Sequence, residues 1–288
     1  MSKAYGHVKD SAIQRWRSQV SRHHQQSISA QEKFNPSIDF WKQYAPNFRD
    51  DPFRENDAIV LKLLEEFQDC QTILDIGGGA GRLALPLALV KKAVTVVDSS
   101  EAMLSQLNMS AEEARIQNVK CVNKLWEEIG DDFCPHDGSI ISHVTYGIED
   151  IEKFILNTSR YTAKTVVALA FSESPQAYLG DIWEDVHGEV RVHLPGANEL
   201  MDVLVYMGLK PEMELLETLS PHNYHSHSDA LQDIRNRLYV NANSEKDVLL
   251  KDSLTRMLNG VVSSDGGDVY ELKGSVNRAL CLIRWDFT

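Results

Sequence analysis

The chain has 288 residues, 43% of them hydrophobic, and a formal net charge of −13. That is enough apolar material for one large α/β domain, alone or with additions. The excess of acid disfavours a surface that tracks phosphates, so small-molecule partners are expected and nucleic acid is not. Cys70, Cys121, Cys134 and Cys281 are scattered, with no Cys-x-x-Cys pair, which fits a reducing, cytoplasmic setting. The stretch from Met1 to Gln26 is polar, and no later stretch reaches the ~20 apolar residues of a membrane span, so no membrane partner is expected.

In chain order, residues 11–31 read as a poorly amphipathic helix with Trp16 and Val20 one turn apart. An aromatic-dense segment follows from Phe40 to Phe48. Residues 1–50 are therefore set apart as a helical arm or cap, and 51–288 as the core. Ile59, Val60, Leu63, Leu64 and Phe67 make a helical stripe leading into a buried strand, Thr72 to Ile76. Gly77, Gly78, Gly79 and Gly81 then form a glycine loop, and Leu83 to Leu89 continue as an apolar helix with Pro86 inside it, for which a kink is expected. Ala93 to Val97 is β-prone and stops at Asp98, about 20 residues beyond the loop. Ser100 caps a helix whose buried face holds Met103, Leu107 and Ala111.

Val119 to Asn123 and Asp137 to Ser142 read as further strands. The second delivers His143 and Tyr146 to a carboxyl end, where ligands gather in open α/β sheets. A helix at Ile148 to Phe154 precedes a strand at Thr165 to Phe171. The connection Ser172 to Pro195, holding Tyr178, Trp183, His187 and His193, is long and aromatic enough to line a pocket. A helix at Leu200 to Met207, closed by Gly208, leads to strands at Glu212 to Leu219 and Arg278 to Trp285. Between them, at about 222–260, lies a helical insertion with capping boxes at Ser226 to Asp229 and Ser244 to Asp247. His222, His225 and His227 invite a metal reading, but the cap already accounts for the pattern, and no metal is expected.

The glycine loop carries the chemistry. Counting from Gly77, a dinucleotide fingerprint needs glycine at the sixth position, which is Arg82, and the Gly-Lys-Ser/Thr ending of a P-loop is absent. What remains, Asp75-x-Gly77-x-Gly79-x-Gly81, resembles the first motif of class I S-adenosylmethionine-dependent methyltransferases. The resemblance covers about Gln71 to Phe171. It implies a doubly wound, mostly parallel seven-stranded α/β sheet with its last strand antiparallel, S-adenosylmethionine as cofactor, and methyl transfer to a small-molecule acceptor, with room for a homo-oligomer. It also implies cofactor contacts from Asp75, Gly77, Gly78, Gly79, Gly81, Asp98 on the ribose, Ser99, Trp126 and Glu127 or Glu128 near the adenine, His143, and an aromatic such as Trp41 or Tyr44 at the methionine end. The Asn/Asp-Pro-Pro-Tyr/Phe motif of many enzymes methylating nucleobase or glutamine amides is missing after Ser142. His143 is the candidate general base if the acceptor must lose a proton. Two alternatives stay open: a nicotinamide-dependent oxidoreductase, which Arg82 disfavours, and a non-catalytic S-adenosylmethionine-binding protein.

Overall fold

A computed structural model describes residues 4–31, 45–219, 223–262, 268–273 and 278–287. The elements in chain order are α1 (Ala4–Gln31), α2 (Ala58–Glu66), β1 (Thr72–Ile76), α3 (Ala84–Ala88), β2 (Ala93–Asp98), α4 (Glu101–Glu113), β3 (Val119–Asn123) and β4 (His136–Ser142). They continue as α5 (Ile151–Arg160), β5 (Thr162–Phe171), α6 (Gly180–His187), α7 (Ala197–Tyr206), β6 (Glu212–Leu219), β7 (Asn223–Tyr224), α8 (His227–Arg237), α9 (Glu245–Met257), β8 (Leu258–Val262), β9 (Asp268–Leu272) and β10 (Arg278–Asp286).

Seven strands form one sheet in the order β3-β2-β1-β4-β5-β10-β6. β10 runs antiparallel to both β5 and β6, and the other pairings are parallel. The seven-stranded α/β architecture expected from sequence is the observed one. Its period-two side chains divide between two cores. Leu74, Ile76, Val166, Ala168, Ile283 and Trp285 pack with α1, α5 and α7 on one face. Ile73, Val94, Val96, Val167, Leu169, Phe171, Leu280 and Leu282 pack with α2, α3 and α4 on the other.

Helix α1 earns its place in the first of these cores through Ile13, Trp16 and Val20, although its polar composition gives little hint of it. Trp16 Nε1 donates to the Ile148 carbonyl at 2.7 Å. Further along, Gln19 Nε2 donates to the His193 carbonyl and Gln26 Nε2 to the Val190 carbonyl, so successive turns of α1 grip the extended segment 190–193. Beside them the Arg191 guanidinium is buried against the Trp183 ring and donates to Ser27 Oγ and His23 Nε2.

Three local expectations are corrected. Pro86 does not kink a long helix: α3 is a single turn, and Pro86 sits at its third residue, where the missing N–H has no intrahelical acceptor to lose. Residues 172–195 are not an open pocket-lining connection; they contain α6, whose Ile182, Trp183 and Val186 pack into a third core with Ile234, Leu250 and Leu254 of α8 and α9. The region after β6 adds a three-stranded sheet, β7-β9-β8, to the two capped helices. Among the described residues, no helix is long and apolar enough to cross a membrane.

Candidate active site

β1 and β2 end side by side, and the glycine loop is folded between them. Gly77 N–H donates to the Val97 carbonyl at 2.7 Å, which fastens the loop to the end of β2. Gly79 takes a φ of 53°, a region that disfavours side chains, and its N–H donates to Asp98 Oδ2 at 2.9 Å. Asp98 Oδ1 accepts from the Ser100 N–H at 2.8 Å. The acid at the tip of β2 is thus clamped by backbone on both oxygens before any ligand is considered.

Beneath the loop lies Asp75, only 1% exposed. A Cβ on Gly78 would stand 2.5 Å from Asp75 Oδ2 and 2.9 Å from Val96 Cγ1, so glycine is what lets the chain pass over this carboxyl. Asp75 Oδ1 is buried with no hydrogen-bond partner among the described residues. Burial, and then the charge of Asp98, push the Asp75 pKa up to about 7.

These groups face a cavity of about 570 Å³. Of the residues singled out from sequence, Asp75, Gly77, Gly78, Gly79, Asp98, Ser99, Trp126, Glu127 and His143 line it. Gly81 does not line it. It is turned toward α4, where a Cβ would meet Leu107 Cγ at 2.8 Å, so its role is close packing of loop against helix. Tyr44 and Trp41 lie outside the described residues, while Phe48 from the same segment lines the cavity. Trp126 is buried between Phe133 and Tyr161, both edge-on to it, and presents only part of its ring. No residue of 172–195 lines this cavity. His222 lies outside the described residues, and among those described no group of three or more His, Cys, Asp or Glu could hold a metal.

His143 follows β4 in the left-handed region, with φ 57°, an uncommon conformation for a residue with a side chain. Its N–H donates to the Leu169 carbonyl at 2.9 Å, and its ring lies 4.6 Å from that of Phe171. His143 Nδ1 stands 3.0 Å from the Tyr146 hydroxyl, whose oxygen accepts the Phe171 N–H at 2.7 Å. More than a third of the His143 surface remains open, and it opens onto the cavity. The recessed position of the ring, and next the Arg82 and Arg278 guanidiniums, lower its pKa to about 4.

Sequence reasoning missed Glu217 and Leu280, which β6 and β10 bring to the cavity as register partners. Nothing local to either residue announces this; only the antiparallel return of β10 beside β5 does. It used Arg82 solely to count glycines. In the structure Arg82 donates to Asp57 Oδ2 at 3.0 Å, and Asp57 is the N-cap of α2, so this side chain ties the loop to a neighbouring helix.

Residues 73–165 match the family model described as a methyltransferase domain. The chain is 25% identical over 114 residues to ribosomal RNA small subunit methyltransferase G of Neisseria gonorrhoeae, covering 36% of this chain and 55% of that protein. It is 23% identical over 194 residues to the probable ribosomal RNA small subunit methyltransferase A of Methanosphaera stadtmanae, covering 67% of this chain and 63% of that one. The chain therefore spans less than two thirds of either relative. The YcgJ protein of Bacillus subtilis shares the fold, with a TM-score of 0.53 at 14% identity, over 81% of this chain and all of that one. The charge-based exclusion of nucleic acid does not stand, because relatives named for ribosomal RNA methylation share this region. Net charge averages over the whole surface and leaves a local contact patch undetermined. Over residues 73–165 this chain carries a methyltransferase domain of unspecified subfamily.

Proposed function

We propose that this methyltransferase transfers a methyl group to a small-molecule acceptor. The observation that carries the proposal is the cavity itself. Its volume of about 570 Å³ falls in the ~300–1,000 Å³ range of small-molecule sites, and its wall runs on from the glycine loop to His143, Glu217 and Leu280.

The residues present suit the cofactor. Asp75 Oδ1 is a buried acceptor lacking a donor, which a cationic amine would supply, and the cradle above it exists only because residue 78 has no Cβ. Asp98, oriented by Gly79 and Ser100, lines the same cavity, and its carboxylate is the group suited to accept from a pair of ribose hydroxyls. S-adenosylmethionine, when bound, supplies a methyl group on a sulfonium, a leaving group that departs neutral. The protein's part is then alignment and exclusion of water, and Val144, Ile148 and Leu280 give the cavity apolar walls for that purpose.

The test is incubation of the full chain with methyl-tritiated S-adenosylmethionine and, in parallel, a small-molecule cell extract or purified small-subunit ribosomal RNA. Label in the extract fraction supports the proposal. Label confined to RNA overturns it in favour of the activity for which the two relatives are named.

A further inference from the structure

The hydrogen bonds around Tyr146 determine which nitrogen of His143 carries a proton. The Tyr146 oxygen accepts the Phe171 N–H at 2.7 Å, and its hydroxyl proton then needs an acceptor. The only other polar atom bonded to that hydroxyl among the described residues is His143 Nδ1, at 3.0 Å. Burial raises the tyrosine pKa, so the hydroxyl keeps its proton and donates it. A neutral imidazole that accepts at Nδ1 must carry its hydrogen on Nε2. With Nδ1 engaged, Nε2 is the nitrogen left for a ligand, and it is a donor. His143 in this tautomer cannot take a proton from an acceptor.

The neighbouring charge is of matching sign. The Arg278 guanidinium lies 4.9 Å over the Phe171 ring, whose other neighbour is the His143 ring. Arg278 does not itself line the cavity; it precedes Leu280, which does, by two residues on the same face of β10, and its charge is felt at His143. Among the described residues its buried Nε has no hydrogen-bond partner and it forms no ion pair. Arg82, by contrast, is already bound to Asp57. Glu217, the acid on the same wall, opposes an anion there and provides a control of opposite sign.

Building on the methyltransferase reading above, we infer that the acceptor is an oxygen acid already ionised at neutral pH, of the carboxylate class, held by His143 Nε2–H and attracted by Arg278. Transfer to such an oxygen forms one oxygen–carbon bond and breaks one carbon–sulfur bond, with the bonding pair retained by sulfur. An anion and a cation become two neutral products, no proton is released, and no general base is required.

The experiment has two arms. In the first, nitrogen-15 NMR of the full chain at pH 7 reads the His143 tautomer, with its signals identified by their loss in His143→Gln. Unprotonated Nδ1 with protonated Nε2 is expected, and Tyr146→Phe should abolish that preference while the fold is retained. Protonated Nδ1 in the wild type overturns the inference whatever the acceptor. In the second, products labelled from the small-molecule extract are treated with alkali. Release of labelled methanol marks a methyl ester and supports the inference; label that survives alkali overturns it. For the labelled acid, Arg278→Gln should raise KM at least tenfold with kcat little changed, Arg278→Lys should recover part of the loss, and Glu217→Gln should lower KM. Absence of any label in the extract is a failure of the small-molecule reading, and the NMR arm still decides the role of His143.

Discussion

Asp75 and Asp98, at the carboxyl ends of adjacent strands, act on one another through the glycine loop: Asp98 fixes Gly79 while its charge helps hold the buried Asp75 carboxyl protonated up to about pH 7. An acid whose pKa is raised on folding keeps a proton that the unfolded chain gives up. Between pH 4 and 7 the native state therefore binds more protons than the unfolded state, and stability falls as pH rises. Asp75→Asn should remove this dependence, leaving the variant more stable than the wild type at pH 8 and by a smaller margin at pH 5, read from urea midpoints without cofactor. A cationic amine placed on Asp75 Oδ1 reverses the preference. Cofactor affinity in the wild type should rise with pH through 7, with proton release visible by calorimetry in buffers of different ionisation enthalpy, and Asp75→Asn should lose both effects.

The Asp98 carboxylate is both a loop clamp and the ribose acceptor in the proposed cofactor pose. Hydrogen bonds to a charged group are worth ~1.5–3 kcal/mol, so Asp98→Ala should cost at least tenfold in affinity for S-adenosylhomocysteine. Asp98→Asn keeps one carbonyl acceptor and should fall between. Calorimetry giving wild-type affinity for Asp98→Ala would remove Asp98 from the site.

Gly78→Ala places a methyl group where Asp75 Oδ2 and Val96 already are. The loop or the carboxyl must move, so cofactor affinity should fall tenfold or more. Gly188→Ala is the contrast. Gly188, at the end of α6, has φ 74°, unlike Gly78, but nothing lies within 4 Å of its added methyl. Only a backbone penalty of roughly 1 kcal/mol is expected there, with affinity unchanged.

The division between what the sequence disclosed and what it hid follows contact range. β1, the glycine loop, β2 and Asp98 are encoded within about 27 residues, each by a local pattern. The apolar run needs burial, the glycines need left-handed or crowded backbone, and the acid stands where a parallel neighbour ends. The caps at Ser100, Ser226 and Ser244 were equally local and are present, each side chain accepting a backbone N–H. Glu217 and Leu280 reach the cavity only through pairing of distant strands. The two-residue β7 has too few side chains to show a period. Helix α6 left a readable trace in Ile182, Trp183 and Val186, but it begins on a glycine and has no side-chain cap, so the usual start signal was missing.

Trp16 connects α1 to the site. Its side chain is 1% exposed, and its indole N–H holds the carbonyl of Ile148, a residue that lines the cavity. Trp16→Ala should destabilise by about 3–5 kcal/mol, whereas Trp16→Phe keeps most of the apolar contact and loses about 1 kcal/mol with the hydrogen bond. If α1 braces the segment after His143, Trp16→Phe should also weaken cofactor binding measurably at a temperature where it remains folded. Unchanged binding in a folded Trp16→Phe would confine α1 to a stabilising role.

His23 joins α1 to segment 190–193 in its neutral form. Nδ1 lies 2.6 Å from the Val192 carbonyl and donates to it, and Nε2 accepts from Arg191 at 2.8 Å. Burial first, and then the Arg191 charge, lower the His23 pKa to about 4. Protonation would put a hydrogen on Nε2 as well, facing the guanidinium, and would replace a bond with repulsion. The sign follows from the depressed value. Below about pH 6.5 the unfolded chain takes up the proton and the native state does not, so this contribution to stability is complete above 6.5 and declines as pH falls toward 4. His143 and His187, also lowered to about 4, add in the same direction, so the His23 share must be isolated by substitution. His23→Gln offers an amide that does not titrate here. It should be less stable than the wild type at pH 7.5, with a gap that narrows on going to pH 5, as measured by denaturant midpoints at both values. A gap that stays constant between them would mean that His23 does not change its protonation on unfolding in this range.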